Sequence, residues 1–128
     1  MEATDYVDFK TALALKKCGF DEPCIAQWSC EPDGKPMLVG STAFVFSNAE
    51  LKGRDVTAPH IYHAQKWLRE KHHISVRVSC LPYHKVWFAD WLNLDSEEFD
   101  DTDATFATYE EALADGISVA LELIKKGE

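Results

Sequence analysis

Between Ile74 and Cys80 the chain alternates without a fault, with Ile74, Val76, Val78 and Cys80 on one side and Ser75, Arg77 and Ser79 on the other. That period belongs to a strand with one buried face, and it cannot be satisfied by a helix. Pro82-Tyr83-His84-Lys85 reads as a turn and Val86 to Leu94 as the returning strand, so the segment predicts an antiparallel hairpin. Pairing Pro82 with Lys85 across a two-residue turn at Tyr83-His84 sets Cys80 opposite Trp87, Val78 opposite Ala89 and Val76 opposite Trp91, a face for the core. The other face sets Arg77 opposite Asp90, an ion pair, but also Leu81 opposite Val86, Ser79 opposite Phe88 and Ser75 opposite Leu92. This face is half apolar. We therefore expect Leu81, Val86, Phe88 and Leu92 to form an interaction surface for a partner or a second copy. The alternative is that an N-terminal strand or loop covers it, and a bulge would exchange the two faces.

The remaining pattern supplies the elements around this hairpin. A first helix is expected from about Asp5 to Cys18, with Tyr6, Phe9, Ala12 and Leu13 as its apolar face and Gly19 at its C-terminus. Cys24 to Cys30 reads as a strand, Glu31 to Pro36 as a turn, and Met37 to Phe46 as the place of a second strand, strongest at Phe44-Val45-Phe46. Residues 47–57 read as loop. Thr57-Ala58-Pro59 opens a second helix, with Ile61, Ala64, Trp67 and Leu68 as its stripe and an end near His72-His73. After the acidic loop Asp95 to Asp103, Thr108 and Glu111 form a capping box ahead of a last helix whose apolar stripe is Tyr109, Ala112, Leu113, Ile117, Ala120, Leu121 and Ile124, with Gly116 on it. The order α-β-β-α-β-β-α predicts an α+β fold, an antiparallel sheet with helices packed on one face.

Size fits a single domain over residues 1–128, able to bury roughly two-thirds of the surface its unfolded chain exposes. Seven Phe, four Tyr and four Trp supply a core without help from a metal or disulfides. The opening Met-Glu-Ala-Thr-Asp lacks the basic and apolar stretches of an export signal, and no apolar run is long enough to span a bilayer. The expectation is a cytoplasmic protein, off the membrane, with Cys18, Cys24, Cys30 and Cys80 reduced. Net charge is −9, and residues 86–128 hold two basic against twelve acidic residues while residues 1–85 are nearly balanced. From Val86 to Ile124 there is no Lys or Arg, which argues against nucleic acid as a partner.

Two segments carry a resemblance: Ala58-Pro59 with Ala64-Gln65-Lys66-Trp67-Leu68-Arg69-Glu70-Lys71-His72 and Ile74, then Tyr109-Glu110-Glu111-Ala112-Leu113, Gly116-Ile117, Ala120-Leu121 and Leu123-Ile124. Residues 57–125 resemble short uncharacterised proteins of phage and prophage regions in gut bacteria. That group has no known function, so the resemblance implies a setting, an accessory protein of a mobile element, and transfers no site residues.

Each chemical candidate meets a plainer reading. Cys18, Cys24 and Cys30 stand six apart, whereas structural zinc knuckles space their ligands about two to four residues apart. Cys24 and Cys30 share a strand face and could bind a metal only with distant histidines. His60 and His63 sit one turn apart without the companion acid of a metalloprotease, and His72-His73 suits a helix C-terminus. Cys80 with His84 is the most plausible nucleophile pair, but the register turns Cys80 inward. Asp95 to Asp103 lacks the central Gly and closing Glu of a calcium loop. Lys66, Arg69, Lys71 and Arg77 make a basic patch beside Trp67 that could stack on single strands. No phosphate loop, nucleophile elbow or dinucleotide fingerprint is present. We therefore expect no catalytic, cofactor-binding or metal-binding residues and no cofactor. The expected function is protein–protein binding, through an unidentified partner or self-association; the alternatives are an acidic mimic of nucleic acid and an unrecognised metal protein or enzyme.

Overall fold

The computed structural model describes residues 3–40 and 43–127. Its elements run α1 (Phe9–Lys17), β1 (Ala26–Cys30), β2 (Pro36–Gly40), β3 (Val56–Thr57), α2 (Ile61–Lys71), β4 (Ile74–Leu81), β5 (Val86–Asn93), β6 (Phe99–Asp101) and α3 (Tyr109–Lys126). The class is α+β in the expected order, and the strands divide into two three-stranded antiparallel sheets, β2-β1-β3 and β4-β5-β6. The chain forms two compact units, Met1–His60 and Ile61–Glu128.

In the first unit, α1 starts at Phe9 rather than near Asp5, because the Asp8 carboxylate caps it, accepting from the Thr11 amide at 2.8 Å. It ends where Gly19 takes φ 98°, a left-handed turn that lets the Phe20 amide reach back to the Leu15 carbonyl at 2.9 Å. Strand β1 pairs with β2 from Ala26 opposite Gly40 to Cys30 opposite Pro36. The sequence places the stronger strand at Phe44 to Phe46, and the structure corrects this. The Gly34 amide closes the turn onto Glu31 at 2.8 Å, so the ladder starts at Pro36 and reaches the end of β1 by Gly40. Phe46 joins through one bridge, to Cys24, while Phe44 and Val45 stay exposed. The expected loop of residues 47–57 also holds structure, a short 3-10 turn at Asn48–Glu50 and the strand β3. Asn48 is buried and joins these pieces: its amide nitrogen donates to the Phe20 carbonyl at 2.8 Å and its oxygen accepts from the Thr57 amide at 2.9 Å.

In the second unit, α2 begins at Ile61, after Pro59 rather than on it, and buries the expected Ile61, Ala64, Trp67 and Leu68. Its end is set by His73, whose φ of 56° leaves the helix and whose carbonyl accepts from the Leu94 amide at 2.7 Å. The β4–β5 register is the one read from the sequence, from Ile74 opposite Asn93 to Leu81 opposite Val86, with Arg77 opposite Asp90. The turn differs. Pro82 has no amide hydrogen with which to pair Lys85, so residues 82–85 form a four-residue loop closed by Lys85 donating to the Leu81 carbonyl at 2.9 Å. Within the acidic segment, Phe99–Asp101 adds to β5 as β6, with Leu92 opposite Phe99 and Asp90 opposite Asp101. The amides of Trp87 and Thr102 bond to the Phe106 and Ala89 carbonyls, so on that side β5 points at residues 99–106. By the alternation of an antiparallel ladder, Val76, Val78 and Cys80 turn their own backbone groups to the free edge of β4. There the Gln65 side chain of α2 donates to the Val76 carbonyl at 2.8 Å.

Helix α3 lies on the face of Val76 and Ala89, and Gly116 allows it to. A Cβ at Gly116 would stand 2.5 Å from Val76 Cγ1 and 2.8 Å from the Ala89 Cβ. On an exposed helix Gly→Ala gains about 1 kcal/mol in propensity. Here overpacking, typically about 1–3 kcal/mol, opposes that gain. Gly116→Ala is therefore expected to lower the denaturation midpoint, and Gly116→Ala with Val76→Ala to recover part of the loss relative to Val76→Ala alone.

At the start of α3 the Thr108 hydroxyl accepts from the Glu111 amide at 3.2 Å and donates to the Glu111 carboxylate at 2.9 Å. The cap is real, though Glu111 returns to the hydroxyl rather than to the backbone. Thr108→Ala is expected to cost about 1 kcal/mol, read as a lower midpoint in urea.

Candidate functional site

The register fixes which side chains leave the second sheet on the face away from α3. Ser75, Arg77, Ser79 and Leu81 come from β4, Val86, Phe88, Asp90 and Leu92 from β5, and Phe99 and Asp101 from β6. Leu81 is 40% exposed and Phe99 73%, while Val86, Phe88 and Leu92 are half-buried. The expected surface residues thus share one face, joined by Phe99 across from Leu92. Sequence reading placed Phe99 in a loop. The signal that could have found it is its lone aromatic ring amid six acids in Asp95 to Asp103.

The charged residues on this face are not equivalent. Arg77 and Asp90 satisfy one another at 2.7 Å, bridging the two strands. Asp101 spends one oxygen on the Asp103 amide at 3.0 Å. Among the described residues, no cation pairs with Asp101 or Asp103. Between these acids and the apolar residues lies an open cavity of about 320 Å³, lined by Leu81, Phe88, Asp101, Asp103, Ala104 and Thr105. Its lining joins apolar Leu81, Phe88 and Ala104 with acidic Asp101 and Asp103, and its volume sits at the lower limit of small-molecule sites, roughly 300–1,000 Å³.

A second cavity, about 410 Å³, opens at the other end of the sheet among His72, Ile74, Trp91, Asn93, Glu98, Leu123, Ile124 and Gly127. Nearby, His73 Nδ1 meets Asp95 at 2.9 Å on the surface, an exposed pair of little energetic weight.

Among the described residues no group of three or more Cys, His, Asp or Glu is arranged to hold a metal. Cys18 caps α1, and the Cys30 thiol donates to the Arg54 carbonyl at 3.5 Å. His60 packs its ring on Tyr6 at 5.7 Å in the first unit, and His72 packs on Trp67 at 4.8 Å in the second. Cys80 stands opposite Trp87 as read from the sequence, but it is exposed rather than turned into the core. The inner face of the hairpin is covered at Val76 and Ala89 and opens toward the tip, where Val78 and Trp87 are half-buried. No hydrogen bond among the described residues joins Cys80 to His84. Trp67 is 5% exposed, so it is not available to stack on a base beside Lys66 and Arg69. No helix of the described residues is long and apolar enough to cross a membrane.

No family model matches the chain, and neither the curated proteins nor the solved structures gave a match.

The ionisation of Cys24 departs from its ordinary value. Burial pushes its thiol up to about 11, the nearby Thr57 hydroxyl opposing in part and Glu22 adding to the rise. A thiol held protonated is a poor nucleophile. The sign for stability follows from proton binding. Above about 8.5 the unfolded chain releases this proton while the folded chain keeps it, so stability falls as pH rises toward the folded value. Titrating native protein with a thiol reagent at neutral pH is expected to modify Cys80 first and to leave Cys24 unmodified until denaturant is added. Fast labelling of Cys24 in the folded protein would contradict its placement.

Proposed function

We infer that the protein is a non-enzymatic binding module, an accessory protein of a mobile element, that acts by presenting the outer face of its second sheet to another protein. The observation that carries this reading is the set of apolar side chains on the outer face, Leu81 and Phe99 exposed and Phe88 and Leu92 half-buried, on a sheet whose opposite face holds α3. Apolar side chains gathered on one face of a small domain and ringed by polar ones mark contact sites. The scattering of the thiols and histidines supports a binding role over catalysis, since nucleophile, base and orienting group need to lie within hydrogen-bond reach. The mobile-element setting rests on the resemblance of residues 57–125.

A second reading, an acidic mimic of nucleic acid, draws on the absence of any Lys or Arg from Val86 to Ile124. The two readings separate by salt. Mimicry is electrostatic and weakens steeply as salt screens it, whereas an apolar interface holds.

Phe88→Glu tests the leading reading. The variant is expected to keep its far-UV circular dichroism and melting cooperativity while losing association in sedimentation velocity and in pull-down from the native host. A variant that unfolds would show Phe88 to be core and remove the proposed surface.

A further inference from the structure

We propose that the outer face of the β4–β5–β6 sheet takes a cationic amphipathic segment of a partner protein, with one Arg or Lys side chain entering the cavity between Leu81, Phe88, Asp101 and Asp103. The proposal rests on the reading of this face as a binding surface and adds the chemistry of what binds.

Charge complementarity selects the occupant. The cavity is lined by apolar Leu81 and Phe88 and by two carboxylates, Asp101 and Asp103, which no cation among the described residues pairs. A long basic side chain matches both parts. Its methylenes lie on apolar surface while its charged head reaches the carboxylates. A guanidinium or ammonium near an aromatic face gains further from the ring quadrupole. A neutral apolar segment would leave Asp101 and Asp103 beside it with water displaced and nothing gained, and an acidic one would be repelled.

The neighbouring residues extend the match beyond one side chain. Along β5 the outward positions are Val86, Phe88, Asp90 and Leu92, and Phe99 flanks Leu92 on β6. Asp90 is already neutralised by Arg77 at 2.7 Å. The surface therefore offers two apolar groups, Leu81, Val86 and Phe88 toward the turn and Leu92 with Phe99 beyond, parted by the charged row Arg77, Asp90 and Asp101, with the unbalanced negative charge of Asp101 and Asp103 beside the first group. A segment with apolar residues along one face and basic residues along its flank is its complement. A second copy of this chain is a poorer fit, because the cation its outward strand positions offer is Arg77, which Asp90 already holds at 2.7 Å.

The test uses the full chain and two short synthetic peptides, one alternating Arg and Leu and one alternating Glu and Leu, with binding read by fluorescence anisotropy at low and physiological salt. The Arg-Leu peptide is expected to bind and the Glu-Leu peptide not. The double substitution Asp101→Asn with Asp103→Asn, on exposed side chains, is expected to weaken binding about tenfold or more and to flatten its salt dependence. Leu81→Ser is expected to weaken binding at every salt concentration, which simple attraction between net charges would not produce. Equal affinity for wild type and the Asn double variant, or binding indifferent to Leu81→Ser, overturns the proposal. If neither peptide binds yet Phe88→Glu abolishes self-association, the face binds a second copy and the cationic partner is wrong. If neither peptide binds and Phe88→Glu changes nothing, the reading of the face itself fails with it.

Discussion

The second unit is organised by the closeness of one helix to one sheet. Gly116 brings α3 onto Val76 and Ala89 at a distance no side chain would allow, and this contact decides which face of the hairpin is inner. Strand side chains alternate, so fixing Val76 and Ala89 inward sends Leu81, Val86, Phe88 and Leu92 outward. A slip of one residue would bury Arg77 and Asp90 under α3 and bring Phe88 against Gly116. The exposed apolar face is thus a consequence of helix packing on the far side of the sheet. Any change that lifts α3 from the sheet acts on the face as well.

Most of this was legible because it rests on local pattern. The hairpin register follows from uninterrupted alternation on β4 and its match on β5, and the buried stripe of α2 follows from its helical spacing. The failures are equally physical. Phe44 and Val45 have the composition of a strand, but the tight turn at Glu31–Gly34 had already assigned the partner of β1 to Pro36–Gly40. Phe99–Asp101 reads as a solvated acidic loop because the acids around Phe99 outweigh the signal of its ring, and its pairing is made by backbone groups. Asn48 could not be singled out either. Its two hydrogen bonds, to Phe20 and Thr57, join residues far apart in sequence.

The same division explains the chemistry. Sequence spacing raised Cys18, Cys24, Cys30, His60, His63, His72 and His73 as candidates, and the structure gives most of them local structural contacts. Cys18 closes a helix, Cys24 is a buried small hydrophobe, His73 supplies a left-handed helix end, and His60 and His72 pack on aromatic rings. What sequence alone did not show was the pairing of an apolar lining with unneutralised carboxylates. Leu81 and Asp103 are distant in the chain and meet only through the order β4-β5-β6.

Gln65 bears on how the molecule behaves at high concentration. A sheet edge with free amides and carbonyls is a template onto which an identical strand can add, and each addition exposes a fresh edge, so growth does not stop. By holding the Val76 carbonyl at 2.8 Å, the Gln65 side chain occupies the middle of the β4 edge. An incoming strand would have to expel it before zipping along the ladder. Contacts made through the edge propagate. The amide on α2 therefore disfavours open-ended growth from this edge.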